Sequence, residues 1–550
     1  MSRLLQIYGF LSVLLRGATL SFQSLTIGGI VFFVVVLGPL RERSEELQRA
    51  VLRWVRRWAA ALALTELAVL VTTTVLLMQS AGMTLNQVSG ADFFIADSLS
   101  LMASISIVIL AGSRRVPGFA DLLLPACAIL VGSVMTSHSM SRIEHRIPLA
   151  VVTGLHQAAS AAWIGGLPYL LITLGRTRNS QDAQGFSARF SRLALTSVGI
   201  LAAAGLLLAG VYVGSVGAIY GTSYGIMVTT KAILFGLLLL LGAMNFGIVR
   251  SAASGMLESL RRFGEVEIAI GFTVLLTAAS LTSLPPAADL ADGRLNSSTI
   301  AARMAPRVPR MSSPTTRDLP EDIYAAQQKS LEAASDSTES YVPGQAGMRP
   351  NTPAEKGWSE YNHHWAGLIV LIIGLLALAA QMGRALKGSW LPGRWARGWP
   401  LLFFLLAVFL VLRSDPETWP LGPGEFWVGM TDPEVLLHRI FAVLVVGLGI
   451  FEWRVQNGRA SPQASLVFPI LVGVASALLL THSHTLGNPT DEVLAELSHA
   501  PLAILGIVAA WSRWLELRLP QENRTRLVMT QVWPVCFLLI GAVLLNYREM

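Results

Sequence analysis

Long apolar runs recur along the whole chain and constrain its fold more than any other feature. An α-helix needs about 20 apolar residues to cross a bilayer. Only 14% of the 550 residues are charged, whereas a soluble protein carries about 25%. The sequence therefore predicts an all-α, polytopic transmembrane helical bundle in a lipid bilayer. We place its spans, about 14 in number, near 18–40, 58–79, 93–111, 118–137, 148–174, 194–215, 224–249, 265–285, 362–382, 399–413, 434–453, 464–481, 496–512 and 527–546.

A long polar insert separates the first eight runs from the last six. Residues 287–360 are rich in Pro, Ser, Ala and Thr, a composition that cannot bury enough apolar surface to build a core. We therefore predict a membrane domain of about eight spans over 1–286 and a flexible outer linker over 287–360. A C-terminal membrane domain of about six spans follows over 361–550.

Arginine and lysine mark alternate loops. The first loop and its flank (41–57) hold six arginines, and the next loop (80–92) has no basic residue. Because basic loops stay in the cytoplasm, the alternation places both termini on the periplasmic or outer side. The net charge of +7 then reflects cytoplasmic anchoring, and no nucleic-acid partner is predicted.

The histidines all fall on one side in this orientation. Each lies in an outer loop or in the outer part of a span, although only Arg and Lys were used to set the sides. The nine histidines are His138, His145, His156, His363, His364, His438, His482, His484 and His499. Their common side predicts a shared role.

Imidazole and thioether groups together indicate copper. Neutral histidine is the commonest transition-metal ligand, and soft sulfur selects Cu(I). His138 is flanked by Met135 and Met140, and Cys127 lies about three turns earlier on the same span. We predict capture of Cu(I) or Cu(II) on the outer side by these groups together with His363, His364, His438, His482, His484 and His499. His156, about 12 Å along its helix, would start a path into the membrane.

Several of these residues also have structural interpretations. A single histidine at a span end is commonly an interfacial hydrogen-bonding residue, and Cys127 is compatible with a small core residue. Lys231 lies about two turns into its span, where it either forms an internal ion pair or takes part in transport. Gly165 and Gly166 favour close helix packing.

Two other functions remain open at this stage. A b-type haem held by His156 with His499 or His438 would make the protein a membrane electron carrier. Outer histidines that only respond to pH would make it a scaffold. Since no hydrolase triad or phosphate-binding glycine loop is present, we predict that the protein is not an enzyme.

Four stretches carry a family resemblance. They are RGATLSFQSLTIGGIVFFVVVLGPL at 16–40, TSHSM followed by LHQAASAAWIGGL within 136–167, GTSYGIMVTTKAILFGLLLLLGAMNFG at 221–247 and EVEIAIGFTVLLTAASLTSLPPA at 265–287. In this order they resemble the copper resistance D (CopD) family of inner-membrane proteins, and residues 358–550 resemble the extension of its longer members.

The resemblance implies copper transport or handling at the bacterial inner (cytoplasmic) membrane, together with a small periplasmic copper-binding protein as partner. It places the suspected copper residues of the family at His138 and His156. It also marks Lys231 as a characteristic position without a known role.

Overall fold

The computed structural model describes residues 3–40, 45–177, 180–251, 256–290, 294–314, 353–385, 397–416, 418–481, 489–520 and 523–548. These residues form helices and contain no β-strand beyond one isolated bridge between Thr418 and Gly424. The prediction of an all-α helical bundle is confirmed.

The first twelve helices run from α1 to α12. They are α1 (Arg3–Phe32), α2 (Glu45–Ser80), α3 (Leu85–Ser89), α4 (Asp92–Ala111), α5 (Phe119–Met135), α6 (His138–Ser141), α7 (Arg146–Ser160), α8 (Leu167–Leu174), α9 (Ser180–Val213), α10 (Val216–Gly221), α11 (Ser223–Ser251) and α12 (Met256–Ser283). π-Helical turns at Phe33–Leu37 and Ala161–Gly165 extend α1 and join α7 to α8.

Seven further helices lie within the described residues that follow α12. They are α13 (Ser297–Met304), α14 (Pro353–Ala385), α15 (Leu402–Arg413), α16 (Pro433–Gln456), α17 (Val467–Leu479), α18 (Pro489–Arg518) and α19 (Arg524–Leu545). 3₁₀ turns at Trp399–Leu401 and Ala464–Leu466 precede α15 and α17.

Every predicted span falls on a helical segment. Within the described residues, eleven segments are long and apolar enough to cross a membrane, and three shorter apolar helices occupy Phe119–Met135, Trp399–Arg413 and Ala464–Leu479. The helices often extend beyond the apolar windows. α2 begins at Glu45, thirteen residues before the predicted span, because its amphipathic first turns continue the helix into the arginine-rich loop.

The chain folds as two compact units. Residues 11–215 and 231–289 form one, here called the N-terminal unit, and residues 1–10, 216–230 and 290–550 form the C-terminal unit. The unit changes at 289–290, and the predicted domain boundary near 286 stays a prediction. The C-terminal unit also takes in the short segment 216–230, which the sequence placed in the first domain.

Glycines allow α1 to lie directly on the π-helical turn Ala161–Gly165. A Cβ added to Gly165 would overlap the Ser24 carbonyl, and one added to Gly28 would overlap the Ala161 carbonyl. The Tyr169 hydroxyl donates a 2.8 Å hydrogen bond to the Leu25 carbonyl beside this contact. The close packing predicted for Gly165 is thus present.

Part of the predicted linker packs on the C-terminal unit. The Asn546 side chain donates to the Met304 carbonyl (3.1 Å), and Arg413 donates to the Ser313 hydroxyl (2.7 Å). These bonds hold α13 and the residues after it against the helical bundle. Residues 315–352 lie outside the described residues, so a flexible linker stays a prediction there.

We predict that Gly165→Ala lowers the stability of the protein, whereas Gly199→Ala does not. The new methyl group at 165 meets backbone that cannot move aside, which costs about 1–3 kcal/mol. Gly199 has no atom within 4 Å of an added Cβ. Thermal unfolding of both detergent-solubilised variants measures the difference, and equal melting temperatures would contradict the contact.

Candidate functional site

His138 lies at the start of a one-turn helix, half-buried beside Tyr212 of α9. The two ring centroids are 6.1 Å apart. The Arg142 guanidinium lies over the same tyrosine ring at 5.6 Å and forms a two-pronged ion pair with Asp289 (2.8 and 3.0 Å). This ion pair connects the loop between α6 and α7 to Asp289, the last residue of the N-terminal unit.

The surroundings of His138 favour its neutral form. Burial lowers the pKa of His138, and the positive charges of Arg142 and Arg16 act in the same direction, against a backbone hydrogen bond with Leu281 and the negative charge of Asp289. Neutral imidazole is the form that binds a metal ion. The environment is therefore that of a metal ligand or of a neutral hydrogen-bonding residue.

His156 faces Lys231 across the N-terminal unit. The Lys231 ammonium nitrogen lies 3.5 Å from Nε2 of His156. The imidazole ring rests against α9 at Gly205, where an added Cβ would come within 3.6 Å of its Cε1 atom. An ammonium group can only donate, so Lys231 points at the nitrogen lone pair that a metal ion would use.

The sulfur-containing residues predicted as ligands differ in their exposure and in their distance along the chain from His138. Met135 ends α5 and Met140 lies within α6, both partly buried and both close to His138 in the chain. Cys127 lies on the exposed face of α5, while its neighbours Ala126 and Ile129 are buried. The structure thus puts Cys127 on the outward face of its helix.

A buried carboxylate joins three of the motif stretches. Glu267 accepts hydrogen bonds from the Trp163 indole nitrogen (2.8 Å) and from the Asn245 amide (2.7 Å), one at each oxygen. Glu267 is 3% exposed. Sequence reasoning treated Gly165 and Gly166 as packing residues and did not connect the neighbouring Trp163 with Glu267.

Three histidines of the C-terminal unit meet from three helices. The ring centroid of His363 on α14 lies 6.3 Å from that of His438 on α16 and 6.3 Å from that of His499 on α18. Tyr547 stacks on His363 at 3.8 Å and lies 6.0 Å from His499. We call His363, His438, His499 and Tyr547 the three-histidine cluster.

Backbone hydrogen bonds orient two of these rings. Nδ1 of His363 lies 2.8 Å from the Ser359 carbonyl, and Nδ1 of His499 lies 2.7 Å from the Ala495 carbonyl. A carbonyl only accepts, so each Nδ1 carries the proton and Nε2 carries the lone pair. Metal-ligating histidines are commonly oriented by such a bond.

His364 has a different environment from its neighbour. Its Nδ1 accepts from the Arg310 backbone N–H (2.7 Å), and its Nε2 donates to the Tyr547 carbonyl (2.9 Å). The two ring nitrogens thus connect α14 to the segment around Arg310 and to the chain around Tyr547. His482 and His484 lie outside the described residues.

Among the described residues, no group of three or more His, Cys, Asp or Glu side chains is arranged so that it could hold a metal ion. The three-histidine cluster brings imidazoles into proximity without arranging them as ligands. Sequence reasoning named its histidines but missed Tyr547, whose position near the chain end gives no pattern to follow.

The comparisons with known proteins bear on these motif stretches. Residues 184–281 match the family model described as "Copper resistance protein D". A curated relative, the "Copper transport protein CutJ" of Bacillus subtilis (strain 168), is 29% identical over 203 residues. Over residues 184–281, the chain is therefore similar to the copper resistance protein D family.

The likeness to these proteins covers part of the chain. The aligned residues make up 36% of this chain and 37% of the Bacillus relative, so the chain spans about a third of the length of the relative that it matches. No solved structure matches. The copper resistance D match includes Lys231, Asn245 and Glu267, and both His138 and His156 lie before it.

We predict that Trp163→Phe destabilises the protein and that Trp427→Phe does not. Loss of the indole N–H removes a hydrogen bond to a buried carboxylate, at a cost of about 1.5–3 kcal/mol. Trp427 is 72% exposed. Thermal unfolding reports the difference, and an unchanged melting temperature for Trp163→Phe would show that Glu267 does not depend on this bond.

Proposed function

We propose that this protein transports copper across a bacterial inner membrane and is not an enzyme. The observation that carries the proposal is the match to the copper resistance D family, whose relative in Bacillus bears the name of a copper transport protein. The arrangement of the histidines supports it. In the C-terminal unit, the rings of His363, His438 and His499 lie close together although they belong to three different helices.

Copper enters from the periplasmic side in this proposal, and both termini lie on that side. In the N-terminal unit, Met135, His138 and Met140 capture the ion, and His156 begins the path into the bilayer. Thioether and imidazole groups together suit Cu(I). Cys127 is left out because it lies on the exposed face of α5.

The C-terminal unit supplies a second place for copper. The Nε2 atoms of His363, His438 and His499 bind the ion, since the Nδ1 atoms of two of these rings already donate to carbonyls. Small rotations of the rings bring the three nitrogens onto one centre. His364 is left out because both of its nitrogens are engaged.

In this scheme, Lys231 occupies the metal-binding nitrogen of His156 until copper arrives. Its ammonium group competes with copper for the Nε2 lone pair of His156 and leaves when the ion arrives. A positive charge beside a cation site weakens cation binding, so copper can leave His156 and continue along the path. A small periplasmic copper-binding protein would deliver or receive the ion outside.

We predict that the triple variant His363→Ala, His438→Ala, His499→Ala loses about one bound copper per molecule, since a single ion uses three imidazoles. His145→Ala is the matched control because His145 is exposed at the start of α7. Competition with a coloured Cu(I) chelator measures the copper bound, and cellular copper content measures transport. Unchanged values for the triple variant would contradict the C-terminal site.

The same experiment with His138→Ala and His156→Ala tests the N-terminal site independently. An absorption spectrum of the purified protein decides the haem alternative, for which the comparisons give no support. A Soret band would refute copper as the cargo of the three-histidine cluster.

We predict that Lys231→Leu binds copper about 5-fold more tightly at the N-terminal site and transports it more slowly. A hydrogen bond of about 1 kcal/mol no longer competes for His156. Leucine has no atom that can bind copper, and Lys356→Leu controls for the loss of a lysine charge elsewhere. Equal affinity in wild type and Lys231→Leu would rule out the competition.

A further inference from the structure

A charged cluster lies at one end of the helical bundle in the C-terminal unit, and the proposed copper path does not use it. It consists of Glu452 on α16 with Arg513 and Glu516 on α18. One nitrogen of the Arg513 guanidinium contacts Oε1 of Glu452 (2.9 Å), and another contacts Oε2 of Glu516 (2.7 Å). We call these three residues the Glu–Arg–Glu triad.

The triad is buried, and its formal charges do not balance. Glu452 is 0% exposed, Arg513 is 3% exposed and Glu516 is 8% exposed. Arg513 and Glu516 are the charged groups that act on Glu452. Two ionised carboxylates and one guanidinium would leave one negative charge in a medium of low dielectric, where an uncompensated charge is very costly. A single bound proton makes the triad neutral.

The hydrogen bonds of Glu516 fit an ionised carboxylate. Its Oε1 accepts from the Gln381 amide (3.2 Å), and its Oε2 accepts from the Trp533 indole (2.7 Å) as well as from Arg513. N–H groups that donate to a carboxylate favour its charged form. A proton on either oxygen of Glu516 would point at a donor, so the geometry favours Glu452 as the protonated acid.

Glu452 has one oxygen available for this proton. Its Oε1 accepts from the Gln456 amide (2.6 Å) and from Arg513 (2.9 Å), whereas its Oε2 is buried without a hydrogen-bond partner. Other buried polar atoms without partners occur in both units, but among the described residues Oε2 of Glu452 is the only carboxylate oxygen of this kind. Since an ionised carboxylate is far costlier to bury than a neutral carboxyl group, Oε2 is the expected position of the proton.

A metal cation fits this position less well than a proton. Hard cations such as Ca²⁺ and Mg²⁺ take about six or more oxygen ligands. Within the part of the chain that the structure describes, the triad leaves one carboxylate oxygen without a partner. The proton is the cation that needs no more than this.

The triad and the three-histidine cluster lie at opposite ends of the same four helices, α14, α16, α18 and α19. The residues at the two ends are about 21–27 Å apart along each helix at the usual rise. Buried apolar side chains, among them Ile373, Ala377 and Leu448, fill the core of this bundle. The proton site is therefore separate from the candidate copper site. The pairs of residues are His363 and Gln381, His438 and Glu452, His499 and Arg513, and Tyr547 and Trp533.

We propose that Glu452 is a proton-binding site, and that one exchangeable proton at its Oε2 atom makes the Glu–Arg–Glu triad neutral. When the proton binds, an O–H bond forms at Oε2 and the negative charge of the triad is removed. When it leaves, the proton returns to water and Glu452 becomes a carboxylate. Buried acids that exchange protons are typical of membrane transporters. The proposal does not depend on which ion the histidines bind.

Infrared spectroscopy of the purified, copper-free protein tests the bound proton. A protonated carboxyl group gives a C=O stretching band that shifts in D₂O, and the spectrum of each variant is subtracted from that of the wild type. We expect Glu452→Gln to lose the band of one carboxyl group, because glutamine is neutral and keeps an oxygen for Arg513. Glu425→Gln removes an exposed acid of the same unit and should lose no such band. Equal spectra for wild type and Glu452→Gln, or a band that does not shift in D₂O, would overturn the proposal.

Two conservative variants decide which acid carries the proton. Glu452→Asp and Glu516→Asp both keep the charge balance of the triad, so the band remains in each. Shortening the protonated side chain changes the surroundings of its C=O group. The band should therefore move in Glu452→Asp and keep its position in Glu516→Asp, and the reverse result would overturn the assignment to Glu452.

Glu516→Gln tests the charge balance itself. This variant leaves Glu452 as the single counter-charge of Arg513, so Glu452 should be ionised and the band should be lost. Retention of the band would show that the balance of the triad does not hold the proton, and it would overturn the argument. Absence of copper binding in the wild type would instead refute the proposed function and leave these spectra unaffected.

Discussion

The cost of removing polar groups from water underlies the internal structure of both units. In a bilayer each buried N–H, carbonyl or charge must find a partner within the protein. Glu267 receives two N–H donors, Arg142 pairs with Asp289, and both nitrogens of His364 are bonded. Several other buried side-chain atoms, such as Oγ1 of Thr19 and Oγ1 of Thr26, have no hydrogen-bond partner in the structure.

One arrangement of buried groups occurs in each unit. Glu267 accepts from the Trp163 indole and the Asn245 amide, and Glu516 accepts from the Trp533 indole (2.7 Å) and the Gln381 amide (3.2 Å). Glu516 also forms an ion pair with Arg513, and Arg513 forms a second ion pair with Glu452 (2.9 Å). In each unit, one glutamate side chain thus accepts hydrogen bonds from an indole and an amide and connects helices of the bundle. Two related bundles would share such an arrangement.

Much of the fold, and less of the candidate sites, followed from sequence. Bilayer thickness sets the length of an apolar run, so the helical segments could be located from hydropathy alone. The histidines could be named, but helix rotation decides which of them meet. For Lys231 the sequence left an ion pair and a transport role open, and the structure places an imidazole beside the ammonium group.

The sequence by itself determined the class of fold and the positions of the apolar helices, and it carried the resemblance to the copper resistance D family, because apolar length and short motifs are local properties of the chain. Only the tertiary structure brought His363, His438, His499 and Tyr547 together, and only it joined Glu267 to Trp163 and Asn245. These contacts join residues far apart in the chain, and their formation depends on how each helix turns its faces when it packs.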